Sequence, residues 1–276
     1  MHPRIFSAIR RLAAEIGLQK TWEWAANRYC WSAFPPAPEV RNRLLQITGL
    51  TRSGKTLLGA ILGTHPEVLM LHEPYHQWLF RGFIEYAHGD VIHRWSGHPG
   101  RLLSVLAASP AQWIAFEEPY RSRAHGRWAN QHFFERNVQL GIRTFVMIRD
   151  PRDIWIEIVR RIPGKKGHVP DRFLDTWNSL ARWVLSEKIC YFRYEDLIED
   201  LQNHLRQLCL TLSLAPAAID AVHHGDPELP EAFRWNGGAI DRAVPSCTHK
   251  ERSAFQADCE RIVSACGLLM SRFGYR

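Results

Sequence analysis

The densest chemistry in the sequence lies in eight residues, GLTRSGKT at 49–56. They satisfy the Gly-x-x-x-x-Gly-Lys-Thr spacing of a phosphate loop. Gly49 and Gly54 permit turns and a close approach that side chains would obstruct, so successive N–H groups can point at an anion. Lys55 can neutralise phosphate charge, and Ser53 or Thr56 can donate a hydroxyl hydrogen bond. A phosphate cradle does not settle what is transferred. With ATP, Lys55 would meet the β- and γ-phosphates and Thr56 would hold Mg2+, with a further carboxylate completing the metal environment. Asp150, at the end of TFVMIRD, is available for that role.

Such a cradle needs a strand before it and a helix after it. Leu44-Leu45-Gln46-Ile47-Thr48 is a short apolar run, and LLGAILG after the loop has helical spacing. His65-Pro66 closes that helix, and Val68 to Leu71 reads as a second buried strand ending at His72-Glu73-Pro74. Further strands are expected at residues 113–116, 144–148 and 189–192. Helices are expected at 78–88, 100–108, 128–138, about 154–159, 171–187, 197–208 and through the final segment. The recurrence predicts an α/β, P-loop three-layer fold with a parallel sheet flanked by helices. FPPAPEV at 34–40 interrupts the chain, separating a helical extension, residues 1–40, from a P-loop domain, residues 41–276. The turn-rich stretch 225–250 reads either as an active-site flap or as a passive surface loop.

The formal charge of +7, from 35 Lys and Arg against 28 Asp and Glu, favours an anionic cofactor, an acidic acceptor or an acidic surface. The basic residues form no base-reading module, so a nucleic-acid partner is not expected. Cys30, Cys190, Cys209, Cys247, Cys259 and Cys266 include no Cys-x-x-Cys pair or zinc-site spacing, which favours a reducing compartment. His76, His88, His93 and His98 have no metal-site spacing either, and no metal ligand is expected. No apolar run approaches the roughly 20 residues of a transmembrane helix. The opening segment reads as a basic, aromatic-rich helix through Ile5, Ile9, Leu12, Ile16 and Trp24. It can pack on the domain, join a second copy as a homodimer or rest on an anionic membrane. A cytoplasmic protein, membrane-peripheral at most, is the expectation.

Several ordered segments resemble the sulfotransferases that use 3'-phosphoadenosine-5'-phosphosulfate (PAPS). GLTRSGKTLLGAILGTHPEV resembles the family's 5'-phosphosulfate loop, FVMIRDPRDIWIEIVRR its 3'-phosphate strand and helix, and YFRYEDLIED its later Tyr-Glu-Asp-Leu segment. The C-terminal helix ending in RFGYR also fits, so the landmarks span about residues 44–276. The resemblance is to the bacterial type, with a phosphate loop and glutamate placement similar to the tyrosylprotein-sulfotransferase branch.

The resemblance implies that Arg52, Ser53, Gly54, Lys55, Thr56 and Leu57 meet the 5'-phosphosulfate and that Arg149 lies near the 3'-phosphate. A guanidinium fork suits the extra phosphate, which it can bind in two directions. Arg152 either strengthens this field or pairs with Asp153. Arg52, with Lys55, is the candidate for stabilising the leaving oxygen, and Glu73, 21 residues after Arg52, is the leading general base, with His72 its local rival. The acceptor implied is a hydroxyl- or amine-bearing small molecule, and the desulfated product is 3'-phosphoadenosine-5'-phosphate (PAP). Two positions depart from the family pattern. Lys55 stands where threonine is common, which keeps an ATP-dependent small-molecule kinase as the alternative. Glu157 stands where a serine often contacts the 3'-phosphate, so it either turns to a basic partner or the nucleotide is read differently. Glu117-Glu118-Pro119-Tyr120 reads as surface or turn structure or as a device orienting the acceptor, and Tyr75, Trp78 and Tyr120 as core or acceptor wall.

Overall fold

The computed structural model describes scattered residues between 12 and 31, then residues 37–88, 91–162, 164, 166–216 and 247–276. Five parallel strands form the central sheet: β1 (Leu44–Gly49), β2 (Val68–His72), β5 (Trp113–Pro119), β6 (Arg143–Ile148) and β7 (Cys190–Arg193). Their order is β2-β5-β1-β6-β7, with β1 hydrogen-bonded to β5 on one side and to β6 on the other. Covered on both faces, β1 is buried at every residue. Its polar members are satisfied within the sheet layer. Gln46 donates to the Thr144 hydroxyl at 2.6 Å and accepts from Asn137 at 2.8 Å, while Thr48 donates to the Glu118 carbonyl at 2.9 Å.

Helices close both faces, giving three layers. One face buries Leu45, Ile47, Phe145 and Met147 of the sheet under Leu58, Ile61 and Leu62 of α2 (Lys55–Gly63) and Leu205, Leu208 and Leu212 of α9 (Leu201–Leu212). The other buries Leu44, Ile114, Val146 and Ile148 under α6 (Pro151–Arg161), α7 (Asp171–Ser186) and α11 (Gln256–Arg272), from which Trp155, Trp177 and Ile262 reach inward. Trp31, within the predicted extension, belongs to this second cluster and stacks on Tyr75 with ring centroids 5.1 Å apart. A short helix, α1 (Pro38–Arg41), follows it. The other short helices are α8 (Tyr194–Glu199) and α10 (His249–Ser253).

The predicted helix at 78–88 is corrected. The helix is α3 (Pro74–Arg81), which stops at Gly82 with φ 78°, a conformation that suits glycine. The chain then forms an antiparallel hairpin of β3 (Ile84–His88) and β4 (Val91–Trp95). The remaining expected helices are α4 (Pro99–Leu106), α5 (Gln131–Gln139) and, already named, α2, α6, α7, α9 and α11; the expected helix 197–208 is split at Asp200, which ends α8 and caps α9. The region 225–250, read as a flap or loop, lies outside the described residues except for its last four, and so does most of the N-terminal helix. Among the described residues the cysteines are free, no metal-binding group of His, Cys, Asp and Glu occurs, and no helix is long and apolar enough to cross a membrane.

Candidate active site

In a parallel sheet all strands end on the same edge, and here that edge gathers the loop after β1, Glu73 after β2, Glu117 and Glu118 in β5, and Arg149 after β6. The loop closes on itself through the Ser53 N–H, which donates to the Leu50 carbonyl at 3.0 Å, and α2 starts at Lys55. Gly54 takes φ 96°, and a Cβ there would collide with the Tyr194 ring. At Gly49 a Cβ would collide with the Ser53 hydroxyl and the Met147 carbonyl, so both loop glycines are required by space or conformation. Arg52 and Glu73 hold positive φ values, 72° and 41°, which non-glycine residues adopt at a cost.

Lys55 and Glu73 meet. The Lys55 Nζ lies 2.6 Å from Glu73 Oε1 and 3.2 Å from Glu117 Oε2, with the lysine side chain 5% exposed, Glu73 18% and Glu117 0%. Thr56, at the first turn of α2, donates its hydroxyl to the same Glu117 oxygen at 3.2 Å, and His72 Nδ1 contacts the other. Burial alone would lower the lysine's pKa, but Glu117 and Glu73 more than reverse this and hold it above its ordinary value. Burial would likewise raise Glu73, yet the charge of Lys55, then His72, takes it down to about 2. Glu117 is pulled below its ordinary value by Lys55 and His72 against the same opposition from burial. Leu57 packs, half-buried, against the apolar cluster beneath α2.

Glu118 corrects the expectation of surface or turn structure. Glu117 and Glu118 are both buried, on opposite faces of β5. Glu118 Oε1 accepts from the backbone N–H groups of Tyr75 at 2.5 Å and His76 at 3.1 Å, satisfying the first turn of α3, and its other oxygen has no hydrogen bond among the described residues. Burial, then the charge of Glu73, pushes its carboxyl well above the ordinary range. Tyr75, Trp78 and Tyr120, which read as core or acceptor wall, are buried in the main core. His76, beside Glu73, is driven down to about 4 by burial.

Arg149 lies on the other flank of the loop. It is 3% exposed; one Nη donates to the Arg52 carbonyl at 3.0 Å, and the guanidinium sits 4.3 Å from the centroid of Tyr194. Its Nε and second Nη make no hydrogen bond among the described residues, and neither does the buried hydroxyl of Ser53. Arg152 pairs with Asp150, at 2.6 Å to Oδ2, instead of Asp153, which is held by Arg252 at 2.8 Å. Asp150 also caps α6 by accepting from the Arg152 N–H at 2.9 Å and meets Arg252 at 3.1 Å. Asp150 is therefore committed to this network, and the carboxylate beside Thr56 is that of Glu117. Glu157 turns to Arg160 at 2.7 Å, which also reaches Glu251. Burial, then the charge of Arg161, lowers the Arg52 pKa against the opposing charges of Glu157 and Glu73.

The fold gathers the sequence candidates Arg52–Leu57, Glu73 and Arg149 at one edge; Glu117 reads from sequence only as surface or turn structure or as an acceptor-orienting group, and Tyr194 has no role assigned there. The recurrence of Glu-Pro after two successive strand runs was the available signal for Glu117.

No family model matches the chain, and no curated protein does. It is similar to the sulfotransferase domain of the Synechococcus PCC 7002 olefin synthase, at 17% identity over 84% of this chain and 94% of that one, with a TM-score of 0.48. It is also similar to a mouse sulfotransferase solved in complex with PAP, at 12% identity over 87% of this chain and 89% of that one, with a TM-score of 0.49. A sulfotransferase from Alicyclobacillus acidocaldarius gives 12% identity over 84% of this chain and 96% of that one, with a TM-score of 0.44.

Proposed function

We propose that the chain is a PAPS-dependent sulfotransferase acting on a hydroxyl or amine of a small-molecule acceptor. The observation that carries this reading is Arg149, a buried guanidinium beside the phosphate loop with two nitrogens lacking hydrogen-bond partners among the described residues. Buried charge and buried donors are costly unless satisfied, and a planar fork is best satisfied by a second phosphate in addition to the one a loop holds. PAPS carries that phosphate at the 3' position, and ATP does not. The unpartnered Ser53 hydroxyl supports an anion in the loop itself.

In this reading Arg52, Ser53, Gly54, Lys55, Thr56 and Leu57 hold the 5'-phosphosulfate and Arg149 the 3'-phosphate. Arg152 contributes by fixing Asp150 at the start of α6. When bound, PAPS supplies the sulfuryl group and leaves as PAP. The acceptor atom forms its bond to sulfur as the sulfur–oxygen bond to the 5'-phosphate breaks, the electron pair passing to the phosphate oxygen. Arg52 and Lys55 stabilise that developing charge. Glu73 takes the acceptor's proton, which requires an approach of roughly 2.6–3.2 Å.

A specific contact favours a second reading. Thr56 and Glu117 share a hydrogen bond of 3.2 Å, and this pair could hold Mg2+ in an ATP-dependent small-molecule kinase. Titration calorimetry with PAP and with AMP, which lacks only the 3'-phosphate, separates the two. We expect wild type to prefer PAP by roughly 30-fold or more, the value of about 2 kcal/mol for a lost buried charge contact, and Arg149→Met to bring the two nucleotides near parity. Equal affinities in wild type, with Mg2+-dependent ATP consumption, would favour the kinase and remove the present reading.

A further inference from the structure

The contacts of Lys55 are unequal in kind. Glu117 is fixed from several sides: its oxygens take Lys55, the Thr56 hydroxyl and His72, and it is fully buried in β5. Glu73 is at the edge of the cluster, 18% exposed, and among the described residues its carboxylate accepts a hydrogen bond only from Lys55. Its backbone, in the left-handed region at φ 41° and ψ 50°, aims the side chain back across the loop from the start of α3. The general base of the proposed reaction is therefore tied to the cation that must receive the donor. A carboxylate whose lone pair is engaged by an ammonium 2.6 Å away is a poor proton acceptor.

We propose that Lys55 exchanges partners: the donor's phosphate displaces Glu73 from Lys55, Glu117 keeps the lysine charged and aimed, and the released Glu73 becomes competent to accept the acceptor's proton. The inference rests on the reading that Lys55 meets a phosphorylated donor. Glu117 is then a positioning residue, since it acts through Lys55. The base is idle until the donor is seated. The exchange also has a proton signature. Glu73, held at about 2 by Lys55, returns toward its ordinary value when released, and burial raises it further. Binding below neutral pH is then accompanied by proton uptake at Glu73, and by linkage the donor binds more tightly as pH falls through that window.

The test is a double-mutant cycle in PAP affinity, measured by calorimetry on wild type, Glu73→Gln, Lys55→Met and the protein carrying both substitutions. Because the donor must break the Lys55–Glu73 contact, Glu73→Gln is expected to bind PAP about ten-fold more tightly than wild type, while losing transfer. In the Lys55→Met background the same change is expected to tighten binding less than two-fold. Equal tightening in both backgrounds would mean that Glu73 only repels the anion through space, and no tightening would mean that it never competes; either result overturns the exchange. If wild type binds ATP but not PAP, the donor assignment fails and the same cycle is read with ATP, whose phosphates would meet the same lysine. Binding of neither nucleotide overturns both. Should Lys55→Met fail to melt cooperatively, wild type and Glu73→Gln are compared alone at pH 5 in buffers of different ionisation enthalpy. On binding PAP, wild type is expected to take up more protons than Glu73→Gln does, by roughly a quarter of a proton at least, and equal uptake overturns the proposal.

Discussion

Two buried cations flank one phosphate loop and are balanced in opposite ways. Lys55 is closed in by Glu73 and Glu117, whereas Arg149 rests on a carbonyl and an aromatic ring with two nitrogens lacking hydrogen-bond partners among the described residues. The difference follows from where each strand ends. β2 and β5 deliver carboxylates to the Lys55 flank, while the acidic residues after β6 are drawn away: Asp150 and Asp153 are held by Arg152 and Arg252. One flank is thus satisfied by the protein's own anions and, in the proposed reading, gives one up to work, while the other is left for the proposed ligand to satisfy.

The largest test of that contrast is stability without ligand. Glu117→Leu strips the Lys55 flank of its fixed anion and should cost about 3–5 kcal/mol in chemical denaturation, the range for breaking a buried pair from one side. Arg149→Met, on the other flank, should change the same measurement by less than about 1 kcal/mol. Equal losses would erase the distinction. A smaller effect sharpens it. Glu118 lies behind the carboxylates with its carboxyl pushed well above the ordinary 4.5 by burial, then by Glu73. The native state therefore keeps a proton that the unfolded chain releases above pH 4.5, so this group's stabilisation is full below that pH and falls as pH rises toward the native value. Glu118→Gln retains an acceptor for the Tyr75 and His76 N–H groups without the charge. It should gain on wild type as pH rises above about 5 in thermal melts, and Glu118→Ala should follow the same trend about 1 kcal/mol below Glu118→Gln through the lost cap. The smallest expected effect is Arg152→Gln, since Arg252 still meets Asp150. About 1 kcal/mol of stability and less than a two-fold change in PAP affinity are expected; a large affinity loss would mean that Arg152 touches the nucleotide directly.

The sheet and the loop were legible because each rests on a local signal: an apolar run of strand length, two glycines at fixed spacing, and the helix that follows. The hairpin was not, because aromatic and apolar residues after Trp78 continue a helical spacing past the real stop at Gly82. The stronger clues were that glycine and the Gly89-Asp90 pair between two β-rich runs. Arg152 was weighed against the wrong aspartate for a geometric reason: neighbours in a helix point about 100° apart, whereas the capping Asp150 presents its oxygens to the helix's first turn. The Lys55–Glu117 contact joins residues 62 apart through the parallel pairing of β1 with β5, which no local pattern encodes. The two glutamates of β5 were misread because charged pairs usually belong to surfaces, and only the register reveals that both faces there are covered.

Tyr194 touches both flanks, its ring filling the space above Gly54 and lying under the Arg149 guanidinium. It serves as a ruler, because the bulk of one aromatic side chain sets the gap between the loop and the fork. Phenylalanine at 194 is expected to keep that gap and leucine to close it, so in the proposed reading the reach between a ligand's two anions is written in the size of a single aromatic ring.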